Sequence, residues 1–346
     1  LRHKRGAIAV AALAVALGAI AMVRVPTFPV IVASQGVIGV AAAVFPPAIA
    51  AISLGLVGPA RLARRTGCNE AFNHGGNVAA AVLAGLIGDH VAIEGIFYLL
   101  AGMALVTIAS ALSIRGSDID HALARGAEHG DGHPARIVGP GELLSDRRIV
   151  VFTLAVTLFH FANAAMLPLV GQKLTAGKVD GVSTDMSACI IAAQLVMVPV
   201  AIASSRLAET WGRKPVFLIG FAVLPIRGLL YTLGTHPVFL VAVQLLDGIG
   251  AGIFGVVGVL VIADLTRGTG RFNLMQGALA TAVGLGASLS NLLTGFVVRA
   301  RGFDAGFVVL AMAAAVALIF YWTAMPETAR TEARAAPIPR AEFSRS

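Results

Sequence analysis

Charged residues are scarce in this chain. Asp, Glu, Lys and Arg make up only 13% of its 346 residues, whereas hydrophobic residues make up 57% and the mean hydropathy is +0.85. A soluble domain carries about twice that fraction of charge. The composition therefore excludes a soluble globular protein, and it indicates a chain surrounded by lipid.

Cysteine is also rare, and the residue patterns of common active sites are missing from the sequence. The two cysteines, Cys68 and Cys189, lie far apart in or beside apolar runs, which excludes a disulfide scaffold. The sequence shows no nucleophile paired with a base, no convincing metal-ligand cluster and no glycine-rich phosphate loop. We therefore predict no enzymatic activity, no cofactor and no bound metal.

The basic excess has two interpretations. A net charge of +8 and a pI near 10.3 would suggest nucleic acid binding in a soluble protein. In a membrane protein, cytoplasmic loops accumulate the same excess of Lys and Arg. The predicted partner is therefore the lipid bilayer and not nucleic acid.

Ten apolar segments are long enough to cross ~30 Å of hydrocarbon as helices. They are residues 6–23, 28–56, 71–88, 95–114, 149–169, 186–203, 215–233, 238–263, 274–298 and 305–324. The second segment contains Pro46 and Pro47 and is interpreted as one kinked span. The sequence thus predicts an all-α, polytopic transmembrane helical bundle.

The basic residues predict its orientation. With ten spans, 20 of the 26 Lys and Arg residues fall on one side of the membrane and six on the other. This asymmetry places both termini in the cytoplasm of a multi-pass cell-membrane protein. The predicted domains are residues 1–114, an N-terminal transmembrane domain of four helices; 115–148, a flexible cytoplasmic linker; 149–325, a C-terminal six-helix domain; and 326–346, a cytoplasmic tail.

Two segments share a pattern at a constant offset. Gln35, Gly39 and Phe45 match Gln244, Gly248 and Phe254, and each segment is followed by a predicted short basic loop that contains Thr-Gly and an Asn. This indicates a duplicated architecture. Because residues 238–263 form the fourth segment of their half, we expect two further spans before the first segment of the other half.

Residues 205–215, Ser-Arg-Leu-Ala-Glu-Thr-Trp-Gly-Arg-Lys-Pro, are similar to the cytoplasmic loop signature Gly-x-Leu-Ala-Asp-Arg-x-Gly-Arg-Lys of the major facilitator superfamily. The ending Met-Pro-Glu-Thr at 325–328 also resembles that family. The resemblance implies two six-helix halves that transport a solute by alternating access. Two elements of its proton-coupled drug exporters are missing: Val32 stands where they carry an Arg, and the third segment has no Gly-Pro element.

The signature loop has a physical interpretation as a cytoplasmic latch. A carboxylate at Glu209 can pair with basic groups in one conformation and lose them in the other. Gly212 permits a tight reversal, and Arg213 and Lys214 then lie at the headgroup boundary. The alternative is that Arg213 and Lys214 only anchor the loop on the cytoplasmic side.

Polar groups inside apolar segments are expensive, so they are the default contacts for a substrate or a coupling ion. The candidates are Gln35, Asn73, Asn77, His160, Asn163, Arg227, Gln244, Asp247, Gln276 and Asn291. Glu70 and His74 lie beside Asn73, where we interpret His74 as a solvated interfacial residue. The alternative role for each amide is to join helices to one another.

Arg227 and Asp247 form the most specific of these predictions. Each lies ten residues from Pro237, so at about 1.5 Å per residue both should reach the middle of the bilayer. An unpaired charge at that depth costs ~3 kcal/mol, which favours mutual pairing. Arg227 could instead reach the interface, and Asp247 could stay protonated in a water-filled cavity.

The sequence therefore predicts a monomeric secondary active transporter of a small organic solute, coupled to protons, with efflux favoured over uptake. Two alternatives remain at this point. One is an inactive, truncated remnant of such a transporter, and the other is an integral-membrane enzyme that modifies lipid.

Overall fold

The computed structural model describes residues 4–92, 94–127, 141, 145–177 and 182–329, without the side chains of 88–90, 177 and 182–184. Within these ranges the regular structure consists of eleven α-helices and two short 3₁₀ turns. The helices are α1 (Lys4–Arg24), α2 (Phe28–Ala42), α3 (Phe45–His90), α4 (Gly95–Ser113), α5 (Arg147–Asn163), α6 (Met166–Gly177), α7 (Val182–Thr210), α8 (Arg213–Leu230), α9 (Pro237–Leu265), α10 (Phe272–Arg301) and α11 (Phe303–Ala324). The all-helical class is confirmed.

Helices cover all ten predicted segments. Eight stretches of the described chain are long and apolar enough to cross a membrane, and one of them, residues 28–87, contains two predicted spans. Helix α8 is not among the eight, because its 18 residues include three charged ones, Arg213, Lys214 and Arg227. The count of ten spans therefore stays a prediction.

Helix α3 corrects the predicted boundaries. The predicted span 28–56 is not one continuous helix, because α2 ends at Ala42 and α3 begins at Phe45, before the two prolines. Helix α3 then bends at Gly58, whose φ of 69° and ψ of 175° are not helical. Pro59 restarts the helix at once, because its fixed φ suits a first helical turn. Residues 66–69, predicted as a loop that matches Thr269 and Gly270, are therefore helical, whereas the second copy is a loop.

Helices α5 and α6 together form the predicted span 149–169, which the structure breaks at Ala164 and Ala165 and extends to Gly177. Asp146 caps the start of α5 by accepting a hydrogen bond from the backbone N–H of Arg148 at 2.9 Å. The hydrogen bond from the Arg148 side chain holds the pKa of the Asp146 carboxyl below its usual value.

We call α1–α4 the N-terminal half and α5–α11 the C-terminal half. They meet mainly where the second arm of α3, residues 59–90, packs on α7. A Cβ on Gly67 would lie 2.6 Å from the Ser205 side chain, so glycine is needed for this close approach. In the C-terminal half, Gly248 and Gly252 similarly face α7, while Gly250 faces α8. Small residues thus set the helix contacts, as is common in membranes.

Residues 116–127, which we call the strap, bridge the two halves. The strap begins the predicted linker, but it is not unstructured: Asp120 accepts backbone hydrogen bonds from Ala122 at 2.8 Å and Leu123 at 3.0 Å. The backbone N–H of Asp120 donates to Gly55 of α3 at 3.0 Å, and that of Gly268 in the C-terminal half donates to Gly126 at 2.6 Å. Residues 128–140 and 142–144 of the linker lie outside the described residues, as do 330–346 of the tail.

Candidate functional site

A polar network lies inside the C-terminal half, between α5, α8 and α9. Its centre is Arg227, whose side chain is only 1% exposed. The guanidinium donates hydrogen bonds to the carboxylate of Asp247 and to the side-chain oxygen of Asn163, and it contacts the sulfur of Met166. The predicted pairing of Arg227 with Asp247 is therefore confirmed.

The second carboxylate oxygen of Asp247 is also held. Gln244 donates to it from Nε2 at 3.1 Å, and Tyr231 donates its hydroxyl to the side-chain oxygen of Gln244. Tyr231 directly follows the last residue of α8, one turn after Arg227, and its backbone N–H donates to the Arg227 carbonyl at 3.1 Å. The Asp247 side chain is 17% exposed and that of Arg227 is 1% exposed, so Asp247 is the less buried member of the ion pair.

A second buried cation supports the same region. The ammonium of Lys173 on α6 donates to the backbone carbonyl of Tyr231 and to Asp304 of α11, each at 2.8 Å. The Lys173 side chain is 8% exposed, whereas that of Asp304 is 63% exposed. The pair ties α6 and α11 to the end of α8, which fixes the turn that carries Tyr231.

His160 lies one turn before Asn163, but it makes no polar contact in the described structure. Its ring packs edge-on against Phe254 at 4.6 Å and against Phe159 at 5.3 Å, and its buried Nε2 has no hydrogen-bond partner. The structure therefore shows His160 as part of an aromatic cluster that borders the network.

The other candidates lie apart from this network. Gln35 and Asn77 are exposed; Asn73 is exposed and donates to Glu70 at 3.3 Å; Asn291 is exposed and donates to the carbonyl of Ala287 at 2.9 Å. Gln276 is buried, and its amide nitrogen lacks a partner in the described structure. Of the ten candidates, the structure thus joins four in one network: Asn163, Arg227, Gln244 and Asp247.

The signature loop is held by carboxylates other than the predicted one. Gly212 adopts φ 103°, which confirms the tight reversal, and Glu327 accepts the backbone N–H groups of Arg213 at 2.9 Å and Lys214 at 3.0 Å. Arg213 also donates to Asp264 at 3.1 Å. Glu209 is exposed and contacts no basic side chain among the described residues. In this conformation, Asp264 has the pairing that we predicted for Glu209.

Sequence reasoning missed Tyr231, Met166, Asp264 and the pair of Lys173 with Asp304. Tyr231 carried a usable signal, because it follows Arg227 by four residues and so shares a helical face with it. Asp264 and Asp304 stand at helix ends, where the sequence gives no indication of their partners.

Comparisons with known proteins agree with this architecture. The family model described as Major Facilitator Superfamily matches residues 1–189 and 152–345. An uncharacterized MFS-type transporter of Mycobacterium tuberculosis (strain CDC 1551 / Oshkosh) is 48% identical over 332 residues, which are 96% of this chain and 79% of that protein. The multidrug transporter MdfA of Yersinia pestis bv. Antiqua (strain Angola) is 28% identical over 190 residues, 53% of this chain and 45% of MdfA.

Solved structures give the same fold. The proton:xylose symporter XylE superimposes with a TM-score of 0.73 at 13% sequence identity, covering 94% of this chain and 81% of that one. At this identity the similarity supports the fold and gives no information about the substrate.

Proposed function

This chain belongs to the Major Facilitator Superfamily, and we propose that it moves a small organic solute across the cell membrane by alternating access, coupled to protons. The family consists of transporters, so the chain is not an enzyme, and a lipid-modifying activity is set aside. The proposed partners are the solute, protons and the bilayer, with the protein acting as a monomer. Both termini are proposed to be cytoplasmic.

The buried ion pair of Arg227 and Asp247 carries the proposal. A charge that is buried without a partner is strongly unfavourable, so the two groups stay paired while both are ionised. When Asp247 takes up a proton, its carboxylate becomes neutral and Arg227 loses its counter-ion. Arg227 then requires another acceptor, either an anionic group of the solute or a group on another helix. Proton binding at Asp247 can in this way change which conformation is stable.

The contacts between the halves support alternating access. The strap joins Gly55 of α3 to the loop before α10, and α3 packs closely on α7. A change of access requires these contacts to separate as the two halves rock. We further propose the division into two transmembrane domains at residues 1–114 and 149–325, because the strap lies between them in sequence.

The proposed direction is efflux. It is supported only by the similarity to MdfA, which is named a multidrug transporter, because no element of the sequence specifies direction.

An inactive remnant is the second candidate. The observation behind it is that Asn77 and Asn291 are exposed, because polar side chains that face lipid are unfavourable.

Proteoliposomes test the proposal. We would load them with ethidium as a cationic probe or carboxyfluorescein as an anionic probe, impose a pH gradient and follow release of the dye. The purified protein should release one probe at a rate that depends on the gradient. Asp247→Asn should abolish that dependence, whereas Glu94→Gln, at an exposed helix-start position, should leave it unchanged. Release no faster than from protein-free liposomes would favour the inactive remnant, and release that does not depend on the gradient would contradict proton coupling.

A further inference from the structure

His74 lies in the contact between the two halves and not in solvent. It sits on the second arm of α3, beyond the close approach of Gly67 to Ser205, and it is only 8% exposed. Its Nδ1 lies 2.7 Å from the side-chain oxygen of Gln194 on α7. This hydrogen bond links side chains of the two halves. The prediction of a solvated interfacial histidine is therefore wrong.

The second ring nitrogen of His74 lacks a hydrogen bond. Nε2 is buried and has no partner within hydrogen-bond distance, but the carboxylate of Glu70 lies 3.8 Å away, one turn earlier on α3. Because the oxygen of Gln194 only accepts, Nδ1 carries the hydrogen. In a neutral imidazole, Nε2 then turns a lone pair toward a carboxylate. A proton on Nε2 converts this repulsion into an attraction.

The surroundings leave Glu70 as the charged group that faces His74. From α7 the neighbouring side chain is the uncharged Gln194. From α9 the surface beside Glu70 is Gly255, where a Cβ would lie 3.2 Å from the carboxylate, so the Glu70 side chain fits against bare backbone. From α3 itself, Asn73 donates to Glu70 at 3.3 Å. The Glu70 side chain is 25% exposed, so the site reaches the surface of the described structure.

We propose that His74 and Glu70 bind a coupling proton in the contact between the halves, and that the bound proton stabilises this contact. The proton adds to the Nε2 lone pair and makes an imidazolium, which donates to Gln194 through Nδ1 and faces Glu70 through Nε2. A hydrogen bond from a charged donor is stronger than one from a neutral donor. Loss of the proton to water weakens the contact and favours separation of α3 from α7.

This inference rests on the proposed alternating access, because it assigns a bound proton to the conformation in which α3 and α7 are in contact. It differs from the role of Asp247, which lies within the C-terminal half. The two sites can therefore be tested separately.

The test measures the contact directly. Nitroxide labels at Arg64→Cys of α3 and Arg206→Cys of α7, both exposed positions near the contact, report the separation of the halves through dipolar broadening. The exposed Cys68 is replaced by Ser in all variants. As the pH falls from about 8.5 to about 5.5, we expect the closed-to-open ratio to rise about fivefold.

His74→Asn should remove this pH response, and Glu70→Gln should reduce it. Gln194→Leu leaves the histidine in place and should also remove the pH response. This variant replaces His74→Asn in the test if His74→Asn does not fold. His236→Asn, at an exposed histidine before α9, is the matched control and should respond as the unmodified protein does.

A response that persists in both His74→Asn and Gln194→Leu would overturn the inference, as would the lack of any response in the unmodified protein. The measurement needs no solute. A normal pH response without gradient-dependent dye release would therefore count against the proposed function alone.

Discussion

The guanidinium of Arg213 donates a hydrogen bond to the carboxylate of Asp264 at 3.1 Å, which joins the start of α8 to the end of α9. Both side chains are largely buried, at 14% and 11% exposure. The same guanidinium donates to the carbonyl of Ala208 at 2.6 Å, so it also closes the end of α7. Arg213 therefore holds three helices of the C-terminal half together at one end.

Removing the charge of Asp264 should have a larger effect than removing that of Glu209. Asp264→Asn leaves Arg213 partly buried without its counter-ion, so we expect a loss of thermal stability of about 1–3 kcal/mol. Glu209→Gln changes an exposed side chain and should stay within about 0.5 kcal/mol of the unmodified protein. Thermal unfolding in detergent, followed by size-exclusion chromatography, compares the two. Equal losses would restore Glu209 as the latch carboxylate.

Gly212 should not tolerate a side chain. Its φ of 103° is strained for other residues, and a Cβ would lie 2.4 Å from a carboxylate oxygen of Glu327. Gly212→Ala should therefore lower stability by about 1–3 kcal/mol and weaken the cap that Glu327 provides for α8. Gly277→Ala is the matched control, because that glycine is helical and its Cβ would meet open space. Similar melting temperatures for both variants would contradict this account.

The strap should release the C-terminal half during transport. Asn273 at the start of α10 donates to the strap carbonyl of Ala124 at 3.5 Å, so the two residues lie close together. Joining Ala124→Cys to Asn273→Cys with a short thiol cross-linker should stop gradient-dependent dye release. The two single variants, treated with the same reagent, should retain it. Full transport by the cross-linked protein would show that the strap stays attached to the C-terminal half throughout the transport cycle.

The sequence predicted the helices well because about 20 apolar residues in a row have few alternatives to a membrane-spanning helix. It placed Arg227 and Asp247 together because both lie equally far from Pro237, so simple helix geometry was sufficient. It failed at residues 66–69, where Thr, Gly and Asn suggested a loop but the turn had already been made at Gly58. Partners such as Gln194 for His74 depend on how the two halves pack, which spacing within one segment does not determine.

Topology can be tested without knowledge of the solute. If residues 128–140 are cytoplasmic and the turn between α8 and α9 is on the opposite side, then His129→Cys and Thr235→Cys should label from opposite sides of sealed vesicles. Replacing Cys68 by Ser removes the exposed native thiol, and Cys189 is buried. Labelling of both positions from the same side would contradict the ten-span arrangement.

Arg227 and Asp247 should behave as one unit in a double-mutant cycle. Arg227→Gln leaves a buried carboxylate without its counter-ion, and Asp247→Asn leaves a guanidinium that is 1% exposed. Each single substitution should therefore reduce the folded fraction, by about 3 kcal/mol in stability. The double variant contains no unpaired charge, so it should recover much of that loss, although it should still lack proton-coupled transport. Fluorescence-detected size-exclusion chromatography measures the folded fraction of all four proteins at matched expression. Because the pair is in direct contact, its coupling energy should exceed about 0.5 kcal/mol, and strictly additive losses would exclude pairing as the source of stability.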